Sequence, residues 1–243
     1  MTPVSGPRLF ARYAYAPNAL GYCGPPDAAA MARGTDAEIR ALARQFSGVW
    51  PYLRVLARMT GIDDPLDARL VESYWLGGGI GSDVDPAAFL SNLLTLIGPI
   101  AGGYWQHLGA DLSDEVAADH SFHVFGIYPW TRLLGRGPDE LPLRILDNCR
   151  ITPALVRARD GATLTVQARR LRWDGDRLFL SEEVPRTVEV TAPADESAAD
   201  IAVGDHIALH WDHVCGRLDI DQVDRLTTTT QRQLTATNRR LHQ

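Results

Sequence analysis

The sequence predicts an α+β protein: a mostly helical domain over residues 1–142, then a small OB-like β-barrel domain over residues 143–243 that ends in a helix. Three observations carry this. Apolar residues recur at helical spacing in the first half, whereas from Asp147 onward apolar and polar residues alternate, as in half-buried strands. Between the two patterns, residues 135–142 bracket charges with two glycines and two prolines, the composition of a linker. The alternating half also carries the tight-turn pairs Asp160-Gly161 and Asp174-Gly175.

Size and composition agree. The chain has 243 residues, 45% of them apolar, which is ample for a buried core. A net charge of -6 argues against a broad nucleic-acid or anionic-membrane surface. The longest apolar region, residues 88–105, is broken by Pro99 and paired glycines, too interrupted to cross a bilayer. No basic segment followed by an apolar run begins at Met1, so no secretory signal is expected and the location expected is cytoplasmic. The three cysteines, Cys23, Cys149 and Cys215, form neither a disulfide framework nor a CxxC zinc pair.

Along the chain, residues 1–35 read as irregular because prolines and glycines are dense, above all in Pro17-Asn18-Ala19-Leu20-Gly21-Tyr22-Cys23-Gly24-Pro25-Pro26. There Cys23 either presents a thiol to a ligand or plugs a core edge. A helix is expected over residues 36–58, with Thr35 and Glu38 at capping-box spacing, Pro51 as a break and Gly61 as the end. A second runs over residues 63–76, stopped by Gly77-Gly78-Gly79-Ile80-Gly81. That glycine run lacks any nucleotide-loop pattern. A third opens at Asp85-Pro86 and reaches residue 97; beyond it His107 reads as a surface histidine.

Asp119-His120-Ser121-Phe122-His123 is the most informative stretch of the first half. On a helix His120 and His123 share a face. Either one of them hydrogen-bonds a backbone group in the core, or one reaches a site shared with a cysteine, where it could ligate metal with Asp119 orienting its ring. HExxH is absent. In the second half, strands are expected from Leu155, over residues 163–171, 178–180 and 187–191, and last over residues 207–211. Residues 192–200 read as an exposed loop and residues 221–241 as a polar helix with a thin stripe of Val223, Leu226, Leu234 and Leu241.

Cys149 is followed by Pro153 and Val156, and the late strand reads Gly204-Asp205-His206-Ile207-Ala208-Leu209-His210 before Arg217-Leu218-Asp219. In these motifs residues 148–230 resemble the small nickel-iron hydrogenase maturation chaperones, which carry the iron centre during hydrogenase assembly. The resemblance implies a small barrel, a cysteine holding an iron-cyanide-carbonyl fragment transiently, and a late-strand histidine beside it. By motif position these roles fall on Cys149 and His210 as metal ligands. Cys149 departs from the family in being internal, Arg150 and Ala154 replace its small apolar and glycine residues, and a helical domain precedes the barrel. The whole chain is also similar to an actinobacterial family found beside hydrogenase genes. The shared motifs are Gly21-Tyr22-Cys23-Gly24-Pro25, His120-Ser121-Phe122-His123-Val124-Phe125 and Cys149-Arg150-Ile151.

The implied partners are a hydrogenase large subunit or its maturation proteins. A thiolate is a soft ligand suited to low-spin iron, and Arg150 or His210 would favour the thiolate. Cys23 and His123, added from the helical domain, would make a retaining site at the domain interface. Two other readings use the same residues. A Cys149 nucleophile with His210 or His123 as base would make a small-molecule enzyme in an interdomain pocket, although no nucleophile-elbow signature is present. A non-catalytic protein-binding scaffold is the third.

Overall fold

The computed structural model describes residues 4–26, 28–101, 108, 112–190 and 200–242. The chain forms two compact units, Met1–Ile127 and Tyr128–Gln243. The contact boundary therefore precedes the glycine-proline segment 135–142. No helix among the described residues is long and apolar enough to cross a membrane.

The first unit is helical from Gly6 onward, which corrects the expectation of an irregular segment over residues 1–35. Helix α1 spans Gly6–Ala19 and α2 Ala28–Arg33. Pro7 lies in the first turn, whose N–H groups have no intrahelical acceptor, whereas Pro17 lies inside the helix near its C-terminal end, where it costs one intrahelical hydrogen bond without stopping the helix before Ala19. The Ser5 hydroxyl caps α1 by accepting the Arg8 N–H. Phe10, Tyr13, Ala14 and Pro17 recur at helical spacing and are all buried.

Helix α3, Asp36–Ala43, begins with the expected capping box: Thr35 accepts from the Glu38 N–H and Glu38 from the Thr35 N–H. Helix α4, Trp50–Thr60, carries Pro51 in its first turn and ends at Gly61, whose left-handed backbone (φ 70°) suits glycine. Helix α5, Ala68–Leu76, is capped by Asp67. Helix α6, Pro86–Ala101, runs past Pro99, because so near the C-terminus only the last turn loses a donor. Residues 102–107, with the expected helix resumption and His107, lie outside the described residues. Aromatic pairs fill the core: Phe10 on Phe46 with centroids 5.2 Å apart, Tyr13 stacked on Trp75 at 5.4 Å, and Tyr52 against Tyr74 at 5.2 Å. The chain then makes a three-residue helix α7, His120–Phe122, and a wider π-type turn, His123–Ile127.

The second unit opens with a 3-10 turn, Pro129–Leu133, and helix α8, Glu140–Cys149. Residues 140–142 are thus the first turn of a helix, with Pro142 accepted there. Five antiparallel strands follow: β1 Thr152–Asp160, β2 Thr163–Trp173, β3 Leu178–Glu189, β4 His206–His210 and β5 His213–Leu218. The order is β3-β2-β1-β4-β5. Parts of the sheet's outer strands β3 and β5 approach within 8 Å, but no ladder joins them among the described residues. The sheet is an open, coiled one, and the expected barrel closure is corrected accordingly.

The two segments expected at 178–180 and 187–191 are one continuous strand, β3. Most of the loop expected at 192–200 lies outside the described residues. Alternation places Ala154, Val156, Leu164, Val166, Ala168 and Val188 in the sheet core. Helix α9, Ile220–Leu241, packs against β1, β3 and β5. Its capping box joins Asp219 and Gln222. Asn238 anchors its far end by accepting from the Leu178 N–H and donating to the Leu178 carbonyl.

Candidate functional site

The site in the second unit is built where α8 ends and β4 ends. Asp147, in the last turns of α8, is a buried anchor. Its carboxylate accepts from Arg150 Nε at 3.0 Å, Arg150 Nη2 at 2.9 Å, the Leu171 N–H at 2.8 Å and Arg170 Nη1 at 3.1 Å. Burial raises its pKa, but the Arg150 and Arg170 charges and the Leu171 N–H outweigh this and hold it below the ordinary carboxylate value. The end of α8 is thereby fixed on β2. Cys149 is the last helical residue, 5% exposed.

A second backbone contact brings β4 to the same place. The Trp211 N–H donates to the Asn148 carbonyl at 2.9 Å. Trp211 and Asp212 form the two-residue turn joining β4 to β5, and both have positive φ, 55° and 58°. Arg186 of β3, itself buried, pairs with Asp212. His210, the last residue of β4, is 1% exposed. A ring nitrogen of His210 and Cys149 Sγ lie within 4.8 Å of each other. Two residues 61 positions apart in the sequence thus meet as neighbouring soft and borderline donors.

The Arg150 guanidinium binds Asp147 through Nε and Nη2 and the Arg169 carbonyl through Nη2, and so anchors α8 to β2. His213 and Cys215 of β5 were not singled out as site residues. His213 is the register partner of His210, and burial pushes its pKa down to about 4. Cys215 is buried beside the His213 carbonyl. Only the spacing of His210 and His213 across a two-residue turn hinted at this pairing.

In the first unit, the Asp119 side chain caps α7 by accepting the Phe122 N–H at 3.0 Å. His120 and His123 do share a face, with ring centroids 6.2 Å apart. His120 Nδ1 lies 3.2 Å from the Tyr74 hydroxyl, and its ring packs on Trp75. His123 stands edge-on to Tyr52 and is 3% exposed; burial pushes its pKa down to about 3, so the ring is neutral. Cys23 is half-buried in the turn after α1, its carbonyl accepting from the Asn18 amide. Burial pushes its thiol up to about 12, away from the reactive thiolate form. Next to it, Gly24 (φ 84°) lies against the Phe46 ring, where a Cβ would come within 2.4 Å. This turn is shaped by packing.

A family model described as a family of unknown function, DUF6390, matches residues 2–243. Neither a curated protein nor a solved structure matches the chain.

Proposed function

The chain belongs to the DUF6390 family, and for it we propose a carrier role: the second unit holds an iron-cyanide-carbonyl fragment through Cys149 and His210 for nickel-iron hydrogenase assembly. The observation that carries this reading is the thiol and imidazole within 4.8 Å of each other. A metal about 2.3 Å from sulfur and about 2.0–2.1 Å from nitrogen can span such a pair. The donor set also suits the cargo, since thiolate and imidazole are soft and borderline ligands. Two protein ligands leave the remaining positions to cyanide and carbon monoxide, and the fragment stays transferable. Burial of both side chains keeps water from the metal. The carboxylates nearest the two ligands in sequence are both ion-paired, Asp147 with two arginines and Asp212 with Arg186, and do not compete as hard ligands. The hydrogenase assignment rests on the motif resemblance of residues 148–230.

The test is anaerobic co-expression with nickel-iron hydrogenase maturation proteins, followed by infrared spectroscopy in the cyanide and carbonyl stretching region. Wild-type protein is expected to carry the bands, Cys149→Ala to lose them, and His210→Ala to hold them weakly. Bandless wild-type protein, or bands undiminished in Cys149→Ala, would overturn the reading.

A further inference from the structure

The second unit contains a cleft of about 300 Å³ between α9 and the sheet. That volume is at the low end of the roughly 300–1,000 Å³ of small-molecule sites. Its floor is a cross-strand row: Leu155 of β1 is the register partner of Gln167 of β2 and of His206 of β4. Its roof is one stripe of α9, Val223, Thr227, Thr230 and Gln231, at positions i, i+4, i+7 and i+8. A helix stripe facing a sheet is ordinarily apolar, yet three of these four residues are polar.

Buried polar groups line the cleft. Arg150, Thr152 and Thr230 are each 2% exposed. Arg150 uses Nε and Nη2 for Asp147 and the Arg169 carbonyl, while Nη1 makes no hydrogen bond to a described residue. The Thr152 and Thr230 hydroxyls likewise make none. All three residues face the cleft, so a ligand there can supply the missing partners. Charge adds direction. Asp147 answers two cations, Arg150 and Arg170, leaving one positive charge in excess. Of these three only Arg150 lines the cleft, and the other lining charges, Arg169 and Glu183, are register partners of opposite sign. Leu155, Leu180 and Val223 supply apolar wall.

We propose that this cleft binds a small organic monocarboxylate, its carboxylate received by Arg150, Thr152 and Thr230 and its short apolar chain lying on Leu155, Leu180 and Val223. The ligand has one negative charge to match the excess, and its chain occupies the wall that inorganic phosphate would leave bare.

Calorimetric titration of the full chain with hexanoate, hexanamide and inorganic phosphate tests this. Saturable hexanoate binding is expected, with the amide and phosphate each weaker by about tenfold or more. Thr230→Val, which keeps the shape and removes the hydroxyl, is expected to weaken hexanoate several-fold. Thr230→Phe, which fills the cleft, is expected to abolish binding with an unchanged circular dichroism spectrum. The proposal is overturned by absent hexanoate binding, by hexanamide or phosphate binding as tightly, or by full affinity in a folded Thr230→Phe protein. Cys149→Ala is expected to bind hexanoate as wild type does, so this outcome is independent of the iron reading.

Discussion

At the residue scale, the strongest constraints come from polar groups held in the core. Asp147 is the anchor that places Cys149. Replacing it by Asn leaves Arg150, 2% exposed, without its counter-charge. Asp147→Asn should cost about 3–5 kcal/mol, the range for breaking a buried pair from one side, read from urea denaturation. His123 titrates in the opposite sense to a salt-bridged histidine. Its folded pKa is pushed down to about 3, whereas the unfolded value is about 6.5. Above pH ~6.5 both states are neutral and stability is unaffected. Below it the unfolded chain takes up a proton that the fold refuses, so stability falls toward pH 3 and then levels. The loss should approach about 3 kcal/mol at pH 4, and His123→Gln should flatten that slope; an unchanged slope would assign it to other groups. Gly48 tests the same ring sterically. A Cβ there would stand 2.8 Å from His123 Nε2, so Gly48→Ala should destabilise by about 1–3 kcal/mol through overpacking, measured by thermal unfolding. His120 and His123 sharing a face was legible from their spacing. Their burial among Tyr52, Tyr74 and Trp75 was not, because those aromatics come from helices 45 to 71 positions upstream.

At the element scale, local signals worked where chemistry is local. The Thr35–Glu38 and Asp219–Gln222 boxes and the Gly61 stop lie in short sequence windows, and the helices begin or end there. Elements were missed where the signal was borrowed from tertiary contacts. The hairpin turn before β5 has Trp211 and Asp212 at positive φ, where Asn-Gly is the usual signature. Trp211 is held by its N–H on Asn148 and Asp212 by Arg186. Neither contact can be read from the turn itself, so β5 and the opposition of His210 and His213 stayed hidden. Helix α1 was obscured for the opposite reason: its prolines look forbidding until their positions in the first and last turns are known. The borrowed turn makes a prediction. Asp212→Asn should cost about 1–3 kcal/mol, because Arg186 loses a charged hydrogen-bond partner. It should also weaken metal uptake at Cys149, since the turn carries His210. Metal uptake equal to wild type in a destabilised Asp212→Asn protein would separate the turn from the site.

At the scale of the whole molecule, the change from helical to alternating periodicity correctly announced helices first and an antiparallel sheet second. Where the second unit begins was not legible, because glycine and proline signal a turn without saying which unit the flanking residues pack in. Contacts group the chain from Tyr128 onward. The 3-10 turn Pro129–Leu133 packs against α8, and the Arg240 guanidinium near the end of α9 donates to the Thr131 hydroxyl at 3.4 Å. A fragment starting at residue 143 therefore loses the turn beneath α8 and the first three residues of α8 itself. A fragment of residues 128–243 keeps both, together with the sheet core and the α9 cover. At 116 residues it is within the range of independently folding domains. The expected result is a single cooperative urea transition for residues 128–243, and a shallow one with a lower m-value for residues 143–243. Because Asp147, Asn148 and the turn at Trp211 position Cys149 and His210 from within this unit, the longer fragment should bind Co²⁺ with a sulfur-to-metal absorption band that Cys149→Ala removes. If residues 143–243 fold as cooperatively as the longer piece, the segment before α8 is a linker and Asp147 alone suffices to hold the helix on β2.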